Sequence, residues 1–137
     1  MLKDLRVREF TAKEARLLNP LQLALVGDGV YELIIRTILV KKGNCPVNRL
    51  HKKASSLVKA GAQSAIMEVI EEELTPEELS VYRRGRNAHS PTMAKHATMA
   101  DYRRATGFEA LMGYLYLKED YTRMLTLVRM GIGEDIL

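Results

Sequence analysis

Leu21-Gln-Leu-Ala-Leu-Val-Gly-Asp-Gly-Val-Tyr-Glu-Leu-Ile-Ile35 carries apolar residues on every side of a helical wheel. Such a segment predicts a helix at the centre of an all-helical fold. Its middle departs from that pattern, because Asp28 stands between Gly27 and Gly29. Each glycine costs about 1 kcal/mol relative to Ala inside a helix, and Asp is itself a poor helix former. Glycines beside an acid leave room for another backbone, or a ligand, to come close. A second stretch repeats the oddity: in Phe108-Glu-Ala-Leu-Met-Gly-Tyr-Leu-Tyr-Leu117, Glu109 is the only charge. An isolated buried carboxylate is costly unless it is paired, metal-bound or protonated. Two readings stand open here. Each acid has a salt bridge to one of the 21 basic side chains, or the two acids form a metal site.

Outward from these segments the chain reads as helices joined by short connections. No run alternates with period two, so strands are not expected. Thr11-Ala-Lys-Glu14 has capping-box spacing and opens a short helix, which Asn19-Pro20 interrupts. The first long helix covers about 21–40 and stops at Lys41-Lys42-Gly43. Pro46 begins the next helix, through about residue 60, and Gly61 separates it from a helix over about 62–72. Thr75-Pro-Glu-Glu78 is a cap followed by proline and acids, starting a helix that should end near Gly85. Residues 86–92, with Ser90-Pro91, read as a loop. A second long helix is expected from 93 or 94 to 118, and a last one over about 120–130. The expectation is an all-α chain of about seven helices forming one domain over residues 1–137.

Composition narrows the setting. With 47% apolar residues the chain can bury a real core. The single Cys45 allows no intrachain disulfide and suits a reducing cytosol. The apolar runs 21–26 and 110–117 are too short to span a bilayer. Met1-Leu-Lys-Asp4 has no apolar signal core. A cytoplasmic protein without a membrane partner is therefore expected. The net charge of +4 is uneven: residues 68–79 hold six acids and no Lys or Arg. The remainder carries 21 basic against 11 acidic side chains, a net +10. That asymmetry suits a polyanion on one face, or else an ordinary solubilising surface. No Ser-His-Asp or Cys-His arrangement stands out, and the three histidines lack zinc-ligand spacing.

Leu23-Ala-Leu-Val-Gly-Asp-Gly-Val-Tyr-Glu32 resembles the signature helix of ribonuclease III, where a Leu-Gly-Asp-Ala-Val core is typical. Thr106-Gly-Phe-Glu-Ala-Leu-Met-Gly-Tyr-Leu-Tyr-Leu117 is similar to that family's second acidic segment, Phe-Glu-Ala-Leu-Ile-Gly. Between them, His51-Lys-Lys-Ala-Ser-Ser56 and Arg83-Arg-Gly-Arg-Asn-Ala88 resemble the Mini-ribonuclease III branch, which lacks a double-stranded-RNA-binding domain. The four segments occur in family order over most of residues 20–118, and the length leaves no room for a second RNA-binding domain. The resemblance implies an all-helical homodimer, a magnesium-dependent endoribonuclease that cuts both strands of an RNA duplex to leave 5′-phosphate and 3′-hydroxyl ends. It implies Asp28 and Glu109 as catalytic residues and Mg²⁺ ligands. Mg²⁺ takes oxygen ligands and keeps several waters, one of which attacks the phosphate once deprotonated. The branch further implies maturation of the 23S ribosomal RNA precursor in a bacterium or plastid, with a ribosomal protein as a candidate further partner.

In that family context Arg83, Arg84 and Arg86 read as phosphate contacts along the duplex, with Asn87 adding a hydrogen bond to sugar or phosphate. Their plain alternative is cations complementing a helix C-terminus. His51, Lys52 and Lys53 form a second candidate phosphate patch or a solvated helix face. Lys95, His96, Arg103 and Arg104 flank the second acidic helix. Larger family members use four acids per site. Here the positions seven and four before Asp28 are Leu21 and Ala24, and the position three before Glu109 is Thr106. Glu32, one turn after Asp28, is a spare ligand or a helix-surface acid. The missing acids motivate an alternative, a catalytically degenerate ribonuclease III-like module that grips RNA in ribosome assembly. Charge alone would also suit a helical DNA-binding protein.

Overall fold

The computed structural model describes residues 9–43, 45–88 and 98–133. Among these the chain forms α1 (Ala12–Leu17), α2 (Pro20–Lys41), α3 (Val47–Val58), α4 (Ala60–Ile70), α5 (Pro76–Asn87), α6 (Met99–Leu117) and α7 (Tyr121–Ile132), with one 3₁₀ turn after α4 and no strand. None of the described helices is long and apolar enough to cross a membrane. The caps of α1 and α5 are those the sequence marks, and Asn19 and Asp120 add two more. Glu14 N–H donates to Thr11 Oγ1 at 3.1 Å, and Thr11 N–H donates back to Glu14 Oε1 at 3.0 Å. Asn19 Oδ1 accepts from Leu21 N–H at 2.8 Å while Pro20 fills the first helical position. Thr75 and Glu78 repeat the reciprocal cap at α5, and Asp120 caps α7.

Three boundaries differ from expectation, two for tertiary reasons and one for a local cap. The break between α3 and α4 falls at Lys59 rather than at Gly61, which lies inside the first turn of α4. The last carbonyls of α3 find partners outside their own helix: Tyr31 Oη donates to Leu57 O, and Gln63 Nε2 donates to Val58 O, both at 2.8 Å. Those bonds satisfy groups that a continuing helix would have used. Gly85 does not stop α5. It is buried against α6, where a Cβ would meet Ala110 Cβ at 2.7 Å and Gly107 Cα at 3.0 Å. The second long helix begins at Met99, because Thr98 caps it by accepting from Asp101 N–H at 3.1 Å. Ser90-Pro91, Lys95 and His96 lie outside the described residues.

The centre of the fold is α6 rather than α2. Residues 105–108 and 110–115 are all buried, with α2, α4, α5 and α7 packed around them. By contrast α2 leaves a stripe open, with Leu25 76% and Leu33 57% exposed. Its apolar residues on all sides therefore do not all pack into the core. A buried ion pair ties the far side together: Arg123 Nε and Nη2 both reach the 4%-exposed Glu78 at 2.9 Å, joining α7 to α5.

Candidate active site

The site is set by a close crossing of α2 over α6. A Cβ on Gly27 would fall 2.6 Å from the Glu109 carbonyl carbon, and one on Gly113 would fall 2.8 Å from that of Leu23. Only hydrogen fits at these two positions, so the helices meet backbone to backbone. Tyr31 and Phe108 lock the crossing with an edge-to-face contact, centroids 5.0 Å apart at 89°. Gly29 has a different role from Gly27: nothing lies within 4 Å of its Cβ position.

This crossing brings the residues after Gly27 and Phe108, Asp28 and Glu109, within hydrogen-bonding reach of each other. Their surroundings differ. Asp28 is exposed, contrary to its expected place in a buried helix, while Glu109 is half-buried. Burial, and then the neighbouring Asp28 charge, push the Glu109 carboxyl up to about 8. One donor acts in the other direction. Gln63, on α4 and only 2% exposed, donates from Nε2 to Glu109 Oε2 at 3.4 Å. Gln63 Oε1 is buried with no partner among the described residues, a condition that ordinarily costs about 1–3 kcal/mol.

Two crowded carboxyls of this kind hold a proton between them or take up a cation. Among the described residues no three His, Cys, Asp or Glu side chains gather as a metal site. The donor set is thus two carboxylates, hard oxygens that fit Mg²⁺ provided water and phosphate complete the shell. Glu32 turns elsewhere, accepting from Arg36 Nη2 at 3.3 Å along the helix surface. At the acid positions of larger relatives, Ala24 is buried, Leu21 is half-buried, and Thr106 donates to Tyr102 O at 3.0 Å.

The basic residues separate into groups. Arg83 and Asn87 are exposed on the last turns of α5, beside Pro20 at the start of α2. Arg86 is half-buried over the Tyr82 ring, 5.7 Å from its centroid, and donates to Asn87 Oδ1 at 3.3 Å. Arg84 is spoken for: Nη1 donates to Arg16 O at 2.6 Å and Nη2 to Leu18 O at 3.0 Å, so its guanidinium closes the end of α1. Arg84 thus has two main-chain partners, whereas Arg83 is exposed. Exposed His51, Lys52 and Lys53 lie on α3, and His51 sits against Arg36, Leu39 and Val40 of α2. Arg104 pairs with Glu68 at 2.8 Å, while Arg103 is exposed. Sequence reasoning missed Gln63. Its one signal is an uncharged polar residue on the stripe shared with Ile66, Met67 and Ile70, which are buried.

Comparison with known proteins places this geometry. The model of the ribonuclease III domain matches residues 21–120, a span that contains both acids and the whole crossing. A Mini-ribonuclease 3 of Clostridium tetani is 46% identical over 91% of this chain and 83% of its own length. One from Enterococcus faecalis is 47% identical over 88% of this chain and 92% of its own. A crystal structure of a Fusobacterium nucleatum protein superposes with a TM-score of 0.77 at 29% identity, covering 83% of this chain and 87% of that one. The chain belongs to the ribonuclease III family, in its Mini-ribonuclease 3 branch.

Proposed function

We propose that this ribonuclease III-type endoribonuclease cuts double-stranded RNA in a Mg²⁺-dependent reaction, as a homodimer whose chains each form one catalytic domain over residues 1–137. The observation that carries the reading is the Asp28–Glu109 pair at the glycine crossing of α2 and α6. These two side chains would hold the cation, which when bound supplies charge stabilisation at the phosphate and a readied water. Glu109 would have to be ionised to serve as a ligand. With two carboxylates per chain, an RNA phosphate would be needed to help complete the cation's shell. The surrounding charge supports a duplex. Arg83 and Asn87 lie near the start of α2 and His51 near its far part, so basic and polar side chains stand roughly 12 Å from Asp28 along the axis on one side and roughly 12–18 Å on the other by helical rise. Phosphates along an A-form helix, recognised by shape, match such a line.

The homodimer is supported by the open stripe of α2. Leu25 and Leu33 project from it, and Val26, Val30 and Leu33 border an apolar depression with Tyr116 and Met124. One carboxylate pair per chain also requires two chains for two strands. Branch membership supports a role in maturing the 23S ribosomal RNA precursor in a bacterial cytoplasm, with a ribosomal protein as a further partner. The test is an end-labelled RNA duplex and the same duplex in DNA, each with Mg²⁺ or with chelator. The expected result is cleavage of both RNA strands to 5′-phosphate ends, only with Mg²⁺, by a sample with twice the chain mass in light scattering. RNA bound but uncut would favour the degenerate RNA-binding module. DNA cut equally well would overturn the assignment.

The arginines give a separable expectation. Arg83→Ala with Arg86→Ala should weaken duplex binding and flatten its salt dependence, by roughly one unit or slightly less of log–log slope per lost phosphate contact. Arg84→Ala should instead lower stability, by about 1–3 kcal/mol, because two carbonyls of the α1 end lose their donor. Salt-titrated binding and thermal unfolding read the two effects. An unchanged slope in the double variant returns Arg83 and Arg86 to ordinary surface cations.

A further inference from the structure

We propose that Gln63 is a positioning residue of the cleavage site, an amide that orients the Glu109 carboxylate toward the cation while braced against the end of α3. The inference rests on the reading of Asp28 and Glu109 given above. Gln63 Nε2 donates to two acceptors, Val58 O at 2.8 Å and Glu109 Oε2 at 3.4 Å. The first bond anchors the amide to main chain and the second directs it at the acid. Three elements thereby meet at one carboxylate: α6 carries it, α2 brings Asp28, and α4 holds the donor braced on α3.

The chemistry of the donor explains why this residue type stands here. A Lys or Arg partner would neutralise Glu109 and compete with a cation for it. A neutral N–H orients the carboxylate and leaves its charge to the metal, as the partners of metal-ligating side chains commonly do. Hydrogen bonds to ionised acceptors are shorter than those to neutral ones. The 3.4 Å contact is long for such a bond and leaves the amide room to approach the carboxylate. Packing alone would choose differently. Ile66, Met67 and Ile70 bury the same helix with apolar side chains, whereas Gln63 buries an oxygen that has no partner among the described residues. An apolar residue of that shape would avoid the unmet oxygen. Neighbouring Ser64 also has a buried hydroxyl without a partner, but no bond to either acid, and serves as the control.

The experiment uses the full chain with Gln63→Leu, Gln63→Met and Ser64→Ala. Four quantities are measured: Mn²⁺ affinity by electron paramagnetic resonance, kcat and KM on duplex RNA, duplex affinity in chelator, and the thermal midpoint. For both Gln63 variants we expect kcat and Mn²⁺ affinity to fall about 10–100-fold. Duplex affinity in chelator should stay within about twofold, and the thermal midpoint should fall only slightly, because Val58 O loses a donor while the unmet Gln63 oxygen is removed. Ser64→Ala should match the parent throughout. Folded Gln63 variants with parental kcat and Mn²⁺ affinity overturn the proposal. So does a joint collapse of thermal midpoint, chelated duplex binding and kcat in both variants, because that pattern belongs to packing. Glu109→Gln runs alongside. If it cleaves like the parent, the reading of the acid pair fails; if it is inactive while Gln63→Leu is not, only the role of Gln63 fails.

Discussion

Glu109→Gln, and separately Asp28→Asn, should remove RNA cleavage by about 10³-fold or more, while the helices stay folded and duplex RNA still binds. Several kcal/mol of charge stabilisation at a reacting phosphate depends on the cation, and each 1.36 kcal/mol is tenfold in rate. Neither substitution changes side-chain volume much, and the crossing itself is made by Gly27 and Gly113. Glu109→Gln carries a second signature. Burial first, and the adjacent Asp28 charge second, push the Glu109 carboxyl up to about 8 in the folded chain. In the unfolded chain it titrates near 4.5. Between those values the folded state holds a proton that the unfolded state has lost. The associated stability is fully present below about pH 4.5 and drains away as pH rises through about 8. Metal-free protein should accordingly be less stable at pH 9 than at pH 5. The Gln variant lacks this titration, so its stability should fall less over the same range. Urea unfolding in chelator at pH 5, 7 and 9, with cleavage assays at pH 7, reads both effects. A Gln variant that cuts normally, or whose pH–stability curve parallels the parent's, would refute the assignment of this pair.

What the chain discloses before folding is uneven, and the unevenness has a physical basis. Thr11 and Thr75 mark helix starts correctly because capping is local: a side chain reaches a backbone N–H three residues away. Asp28 and Glu109 attract notice because a charge inside an apolar helix violates a local pattern. That they meet is a property of the crossing, which no periodicity contains. Gly27 and Gly29 look alike in sequence, yet one touches the α6 backbone and the other faces open space. Gly85 has the composition of a stop but serves as a packing surface. Arg84 sits in a basic cluster indistinguishable from Arg83, and only the folded chain brings it to the carbonyls of α1. Gln63 is the extreme case, since its two acceptors come from the end of another helix and from α6.

Gly27→Ala should destabilise the protein by about 3 kcal/mol net, lowering the thermal midpoint on the order of 10 °C, and should reduce cleavage with it. Helix propensity argues the other way, because Ala is about 1 kcal/mol better than Gly in a helix interior. Sterics decide the sign. The new methyl would overlap the Glu109 carbonyl, main chain that no rotamer change can move aside. Relief requires α2 and α6 to separate along a face where α6 is otherwise fully buried. Separation also pulls Tyr31 from Phe108 and Asp28 from Glu109, so packing and site fail together. Gly113→Ala makes the same collision from the other helix, with the Leu23 carbonyl, and should match it. Gly61→Ala meets nothing within 4 Å and should stay within about 0.5 kcal/mol of the parent. The acid variants lose cleavage with the fold intact, whereas the crossing variants lose both, and thermal unfolding beside a cleavage assay separates the two classes. A Gly27→Ala protein with the parental midpoint and parental cleavage would mean that the helices do not meet backbone to backbone, and the geometry that joins Asp28 to Glu109 would fall with it.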